Sequence, residues 1–229
     1  MLIYMVRHGR TDWNDDRRIM GRRPVPLNER GVSMVEHLAD HLSGEGIGTV
    51  YTGTLERARQ TAGILAGAWG ARIVEDAGLD ESSYEGWVGM RYTELEGDPE
   101  FHLYRTSPTR SRFSDGEGMK DIQERGLAVI ERIRAGQEGK TALVSHSDVI
   151  KPIVAHFLGM DLDRMHRIAV ANASVTLLDL VGVGEPRIRY MNVMPWKWRT
   201  GEIDRPGEHR RPGGEDVPGL SRRGGGEEA

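Results

Sequence analysis

The sequence predicts an α/β fold: a three-layer sandwich with a mostly parallel sheet, helices on both faces and a capping insertion. Three observations carry that expectation. Short β-branched and aromatic runs alternate with stretches whose apolar residues recur every three or four positions. Three of those runs are followed closely by arginine or histidine among small hydroxyl side chains. The alternation is interrupted once, over about residues 76–120, by a long excursion of weak periodicity.

Taken in order, Leu2-Ile3-Tyr4-Met5-Val6 reads as a buried strand, so Arg7 and His8 fall at its C-terminal end. Val32, Val35, Leu38 and Leu42 mark the first helix, with Glu36 and Asp40 on its other faces. Thr49-Val50-Tyr51 is a second strand. Leu55, Ala58, Ala62 and Leu65 mark a helix that the Thr54 hydroxyl is placed to cap. Arg57 then lies in the first turn, where free backbone N–H groups favour an anion. The insertion carries Tyr84, Trp87, Tyr92, Phe101 and Tyr104, broken by glycine and proline. Excursions of this kind commonly cover a site, and the alternative for any one residue is peripheral packing. Ile122, Val129, Ile130 and Ile133 mark a third helix, stopped near Gly136 and Gly139. Thr141-Ala142-Leu143 is a third strand, followed by a helix over Asp148 to Phe157 with Pro152 near its beginning. Ala173 to Leu180 and Arg187 to Met191 are strands joined by a turn at Gly182-Val183-Gly184, an antiparallel hairpin at one edge.

Length and composition bound the rest. The chain of 229 residues suits one α/β domain, over residues 1–198. Residues 199–229 are rich in Gly, Pro, Arg and Glu, bury too little to offset their ordering entropy, and read as a disordered tail. A formal charge of -4 with mixed signs gives no general attraction to nucleic acid or anionic membrane. The absence of cysteine removes disulfides, a thiol nucleophile and cysteine-ligated zinc. No stretch approaches the roughly 20 apolar residues that span a bilayer, and the start MLIYMVRHG lacks the pattern of a signal peptide. The expectation is a soluble, cytoplasmic protein, with a homodimer left open.

The strand ends carry the chemistry. In open α/β sheets the carboxyl edge is where ligands bind. A neutral imidazole is nucleophilic, and a neighbouring arginine disfavours its protonation while attracting a phosphate dianion. His8 beside Arg7 supplies that pair. The segment Thr54-Leu55-Glu56-Arg57-Ala58-Arg59-Gln60-Thr61-Ala62 and the segment Val144-Ser145-His146-Ser147-Asp148-Val149-Ile150 follow two further strands, so three strand ends of one sheet can converge on a point.

With these residues in view, the sequence resembles the histidine phosphatase superfamily, also called phosphoglycerate mutase-like. RHGRTDWN matches that family's signature, GRRPVPLNERG from Gly21 to Gly31 resembles the segment after it, and TLERARQTA and SHSDVI match the second arginine and second histidine motifs. The resemblance covers roughly residues 1 to 198. It implies the three-layer fold, a phosphohistidine on His8, and phosphate held by Arg7, Arg57 and His146, with Asn14 as an uncharged donor. It implies no metal and no cofactor.

The family also carries an acidic proton donor after its third strand, commonly a glutamate before an aromatic and a G-x-W-x-G stretch. In Leu79-Asp80-Glu81-Ser82-Ser83-Tyr84-Glu85-Gly86-Trp87-Val88-Gly89, Glu81 aligns with it. Asp80 and Glu85 are rivals, because Glu85 stands where glycine is usual and Val88 where glutamate is usual. Arg10, where many relatives carry glutamate, adds charge that would favour a second anionic group on the substrate, and Arg110 and Arg112 could act alike. Gly116-Glu117-Gly118 resembles the family's G-E-S segment without its hydroxyl. Asp148 and Lys151 could orient His146, touch substrate, or pair with each other. His37 and His41 have a zinc-compatible spacing but lie on a face that Glu36 and Asp40 mark as solvated.

Three functions fit these residues. The first is a phosphatase acting on a small phosphorylated metabolite. The second is a 2,3-bisphosphoglycerate-dependent mutase, disfavoured because tryptophan is absent from Gly21–Gly31 and LDESSYEG matches the mutase pattern poorly. The third is a catalytically idle phosphate-binding regulator, disfavoured because both histidines, both arginines and a candidate acid are present.

Overall fold

Side-chain alternation along the first strand divides the molecule into two cores. Strand β1 (Leu2–Arg7) sends Ile3 and Met5 into one apolar cluster and Tyr4 and Val6 into another. A computed structural model describes residues 1–195 apart from 114, 137–138 and 181–184. The remaining strands are β2 (Thr49–Thr52), β3 (Arg72–Glu75), β4 (Lys140–Ser145), β5 (Val175–Asp179) and β6 (Arg187–Val193), in the sheet order β3-β2-β4-β1-β5-β6. The first four strands pair in parallel, while β5 joins β1 and β6 joins β5 antiparallel, as the expected edge hairpin requires. The turn at 182–184 and the tail at 199–229 lie outside the described residues.

The helices are α1 (Asp12–Asp15), α2 (Glu29–His41), α3 (Glu56–Trp69), α4 (Pro99–Thr106), α5 (Met119–Gly136) and α6 (Ser147–Phe157). Helices α2 and α3 bury Val35, Leu38, Ala58 and Leu65 against the Tyr4/Val6 face. Helices α5 and α6 bury Ile122, Ile130, Ile150 and Ile153 against the Ile3/Met5 face. Each such valine, leucine or isoleucine contributes about 1.5–3 kcal/mol of transfer free energy, so the periodic residues hold the layers together.

Two glycines let α2 start hard against the loop after β1. A Cβ on Gly31 would lie 2.0 Å from the Arg10 carbonyl oxygen, and one on Gly9 would lie 2.8 Å from the Gly31 carbonyl oxygen. The Asn28 side chain caps the helix by accepting from the Gly31 N–H at 2.9 Å.

The insertion folds as short 3-10 turns around α4, with Tyr84, Phe101, Tyr104 and Phe113 buried on the α5/α6 side of the sheet and Trp87 packed against them. Their rings interlock, with centroids 4.7 Å apart for Tyr84 and Phe113 and 5.4 Å for Trp87 and Phe101. Strand β3 and helix α4 were not singled out from sequence. Strand β3 is a short, mostly exposed edge, and α4 announces itself only by the Asp98 cap before Pro99.

Two local expectations are corrected. Thr54 does not cap α3: the N-cap is Leu55, without a side-chain bond. The Thr54 N–H and hydroxyl donate instead to the Asp80 carboxylate, at 2.5 and 2.7 Å. Helix α6 begins at Ser147, so Pro152 lies at its sixth position, past the first turn. There its missing N–H does cost an intrahelical bond, while its carbonyl accepts from Gln123 Nε2 at 2.8 Å.

Candidate active site

The carboxyl ends of β2, β4 and β1 lie side by side. Arg7 stands opposite Ser145 in the β1–β4 register, the His8 N–H donates to the Ser145 carbonyl at 3.0 Å, and the Gly53 N–H donates to the Val144 carbonyl at 3.3 Å. The helix after β1 covers one face of the sheet and the helix after β4 covers the other. A crevice therefore opens between these two strand ends. His8 and His146 follow them, with ring centroids 5.1 Å apart.

His8 is 1% exposed and its tautomer is set by one bond. Nδ1 lies 2.7 Å from the Gly9 carbonyl, which can only accept, so Nδ1 carries the proton and Nε2 carries a lone pair. The next N–H, of Gly9, donates to Thr61 Oγ1 on α3 at 3.0 Å. Burial, then Arg57 and Arg7, hold the His8 imidazole well below its ordinary pKa. It is therefore neutral at neutral pH.

Two guanidinium groups flank this ring. Arg7 donates from Nη1 to the Val170 carbonyl at 2.7 Å, and burial lowers its pKa. Arg57 is wholly buried in the first turn of α3 and donates to the carbonyls of Gly21 at 2.8 Å and Arg23 at 3.1 Å. Burial lowers its pKa to about 10, still well above neutrality. Arg7 Nε, Arg57 Nε and both ring nitrogens of His146 are buried without a protein hydrogen-bond partner. Each such group costs about 1–3 kcal/mol, so this concentration of polar atoms suits an anion that would satisfy several at once. Burial, then Arg57, His8 and Arg7, also hold His146 well below its ordinary pKa. His146 is the N-cap of α6, whose first-turn N–H groups add a further positive pole.

Asn14 sits where only its amide NH2 remains to offer. Its Oδ1 accepts from the Thr11 N–H at 3.2 Å, the Thr11 hydroxyl at 3.1 Å and Asn172 Nδ2 at 3.1 Å. Asn172 also donates to the His8 carbonyl at 3.2 Å, fastening the loop after β1 to the segment before β5. Sequence reading missed Asn172, since nothing in the polar stretch before that strand sets it apart.

Of the three rival carboxylates, Glu81 is the one beside His146. Its Oε2 lies 4.0 Å from His146 Nδ1, and its Oε1 accepts from the Ser82 N–H at 3.1 Å. Burial, then the negative charge of Asp148, push its pKa up to about 7, against the opposing pull of Arg57 and Arg7. Asp80 is committed to Thr54, and Glu85 is exposed and does not line the cleft.

The cleft itself measures about 470 Å³. Arg7, His8, Asn14 and Glu81 line it, while Arg57 and His146 are not among the lining residues. The insertion contributes Tyr84, Tyr92, Phe101, Tyr104 and Arg105 to the wall of the cleft. Arg10, Arg110 and Arg112 do not line it: Arg10 pairs with Asp15, and Arg112 pairs with Asp121 at 2.6 Å. Besides Arg7, the lining arginines are Arg17, Arg18 and Arg105. Glu117 of the G-E-G segment accepts from Arg125 Nε at 2.7 Å and Arg22 Nη2 at 3.2 Å. Asp148 and Lys151 form an ion pair at 3.3 Å and both line the cleft, but Asp148 makes no hydrogen bond to His146. Among the described residues no three His, Cys, Asp or Glu side chains gather to hold a metal, and His37 Nδ1 bonds the Ser33 carbonyl.

Known proteins resemble this chain in sequence and in fold. Residues 3–194 match the family model described as the histidine phosphatase superfamily, branch 1. The chain is 30% identical over 181 residues to a probable phosphoglycerate mutase GpmB of Escherichia coli, covering 77% of this chain and 84% of that one. Among solved structures, Bacillus stearothermophilus YhfR superposes with a TM-score of 0.76 at 31% identity, over 82% of this chain and 95% of that one. A mycobacterial glucosyl-3-phosphoglycerate phosphatase, solved with VO3, gives a TM-score of 0.76 at 25% identity, over 83% of this chain and 98% of that one.

Proposed function

The chain belongs to the histidine phosphatase superfamily, and from that premise we propose that it hydrolyses a small phosphomonoester through a phosphohistidine on His8, with Glu81 as proton donor. The observation that carries this reading is the His8 ring: Nδ1 is fixed on the Gly9 carbonyl, which leaves Nε2 unprotonated between two arginines.

In the first step the Nε2 lone pair forms a bond to phosphorus while the bond from phosphorus to the ester oxygen breaks. The Glu81 proton passes to that oxygen, releasing a neutral alcohol. Arg7, Arg57 and the first turn of α6 offset charge on the equatorial oxygens, which Asn14 and His146 also contact. In the second step the Glu81 carboxylate takes a proton from water, whose oxygen attacks phosphorus as the P–N bond breaks. Inorganic phosphate leaves, and His8 and Glu81 return to their starting states. The chemistry draws on no metal and no cofactor.

The relatives named probable phosphoglycerate mutase favour a second reading, in which the phosphoryl group returns to a bound phosphoglycerate instead of passing to water. One experiment separates the two. A panel of phosphomonoesters is screened for phosphate release, beside an assay of phosphoglycerate isomerisation primed with 2,3-bisphosphoglycerate. Hydrolysis of panel members without isomerisation supports the phosphatase. Primed isomerisation with little phosphate release would replace it with the mutase, and no turnover in either assay would leave a binding protein.

A further inference from the structure

One buried carboxylate in the cleft has no part in the steps above. Asp148, in the first turn of α6, is nearly solvent-free, yet it carries three donors. Its Oδ2 accepts from the hydroxyls of both Tyr84 and Tyr104, and its Oδ1 faces Lys151 Nζ at 3.3 Å. The two tyrosines come from opposite ends of the capping insertion, one from the turn after Glu81 and one from α4. Tyr84 is three residues beyond Glu81 and adopts a left-handed backbone with φ 48°, which costs energy in any residue but glycine. A side-chain bond to a fixed helix is the kind of contact that can hold such a conformation.

We propose that Asp148 is a positioning residue for the proton donor: clasped by Tyr84 and Tyr104, it fastens the Glu81–Tyr84 segment and the cap to α6, and it presents a fixed negative charge to Glu81. This rests on the phosphatase reading of the same cleft. The charge follows from the surroundings. Burial opposes ionisation of Asp148, but Lys151 and the two hydroxyls outweigh it and hold the carboxyl below its ordinary range. Both tyrosines are pushed well above their ordinary value by burial and by Asp148, so they remain donors. His166, which also faces Asp148, is held down by burial and bonds the Tyr104 carbonyl at 3.1 Å, and Arg7 and Tyr92 feel the Asp148 charge as well. Glu81 is faced by Arg57 from α3, Arg7 from β1, and His146 and Asp148 from α6. Arg57 and Arg7 draw its proton away, and Asp148 is the negative charge that opposes them.

The same Asp148 therefore has two separable effects, one on where Glu81 sits and one on when it is protonated. Asp148→Asn keeps an acceptor for the tyrosines and removes the charge. Tyr104→Phe keeps the charge and removes one clasp. The carboxyl carbon of Glu81 is followed by NMR across pH in full-length protein, assigned with Glu81→Gln, beside the pH profile of kcat/KM on an alkyl phosphate. In Asp148→Asn the Glu81 titration and the alkaline limb both move down by about one pH unit or more. In Tyr104→Phe the limb stays while kcat on the alkyl phosphate falls about tenfold or more. An unmoved Glu81 titration in Asp148→Asn overturns the proposal, and so does a Tyr104→Phe enzyme with unchanged kcat. Should Asp148→Asn not fold, a Tyr104→Phe rate loss with an unmoved limb supports the clasp, and an unchanged rate overturns it. Failure of wild type to form phosphohistidine would overturn the phosphatase reading alone, since the NMR titration needs no turnover.

Discussion

The floor of the cleft and its cap are built by different means. The floor is made at the ends of β1, β2 and β4 and at the starts of α3 and α6, so backbone register fixes His8, Arg7, Arg57 and His146. The cap supplies Glu81 from a stretch of short turns, held by an aromatic cluster and by hydroxyl and carboxylate contacts to distant helices. The floor sets charge that scarcely changes with pH near neutrality: two arginines that stay cationic and two histidines that stay neutral. The cap supplies Glu81, whose pKa burial and Asp148 push up to about 7. Elements that are rigid for structural reasons carry His8, and Glu81 sits where a substitution can retune its surroundings.

The largest test of the floor is His8→Ala, which should cut turnover by at least about 10⁴-fold, the scale for loss of a covalent nucleophile. Wild type, quenched under neutral or alkaline conditions, should yield an acid-labile phosphate on the peptide containing His8. Label on serine or aspartate would move the nucleophile out of the floor.

The matching test of the cap is Glu81→Gln. It should slow an alkyl phosphate by about 10²–10⁴-fold, the usual worth of a general acid, while p-nitrophenyl phosphate, whose leaving group needs little help, still phosphorylates His8. A burst with the activated ester and none with the alkyl ester is the expected pre-steady-state result. Equal losses on both, or a larger selective loss in Asp80→Asn or Glu85→Gln, would reassign the acid.

Arg57→Ala comes next, with about a 10²–10³-fold loss in kcat, because its charge is worth most as the phosphoryl group transfers. It should also lower thermal stability, since Arg57 holds the carbonyls of Gly21 and Arg23. A change confined to KM would reduce it to general attraction.

The pH dependence reads floor and cap together. Glu81 acts as an acid only while protonated, and its raised pKa preserves that proton up to about 7. For an alkyl phosphate, kcat/KM should fall as pH rises through that value. His8 is already neutral there because its pKa is lowered, so the floor adds no loss on the alkaline side. Phosphorylation by p-nitrophenyl phosphate, measured across the same range, should lack the fall.

The smallest effect is expected from Thr54→Val. It removes the hydroxyl bond to Asp80 and should destabilise the fold by about 1–2 kcal/mol in denaturant titration, leaving the alkaline limb in place. A shifted limb would mean that Asp80 influences the acid as well as the loop.

Most of the floor was legible in the chain because strand and helix periodicities are local, and a polar residue just past an apolar run must lie at a strand end. Arg7, His8, Arg57 and His146 needed only that rule and the family resemblance. Less of the cap was legible. Its aromatics were visible as a group, but Phe113 was omitted, and the pairing of Tyr84 and Tyr104 with Asp148 spans 64 and 44 residues. The same limit misassigned Thr54: a hydroxyl before a helix ordinarily caps it, and only the arrival of Asp80 from 26 residues away gave it a stronger acceptor. Arg10 read as a charge at the mouth until Asp15, five residues on, claimed it.

What the sequence determined by itself was the layer order, the edge hairpin and the residues of the floor, because apolar periodicity and strand-end position are set within a few residues of chain. What the tertiary structure decided was the surroundings of each candidate carboxylate. Asp80, Glu81 and Glu85 are near neighbours of the same acidic character, and in the sequence only the family motif ranks Glu81 first. One accepts from Thr54, one is exposed, and one lies mostly buried beside His146 under the charge of Asp148. A carboxyl's proton affinity depends on the water and charge around it, and those are supplied by parts of the chain that meet only when it folds.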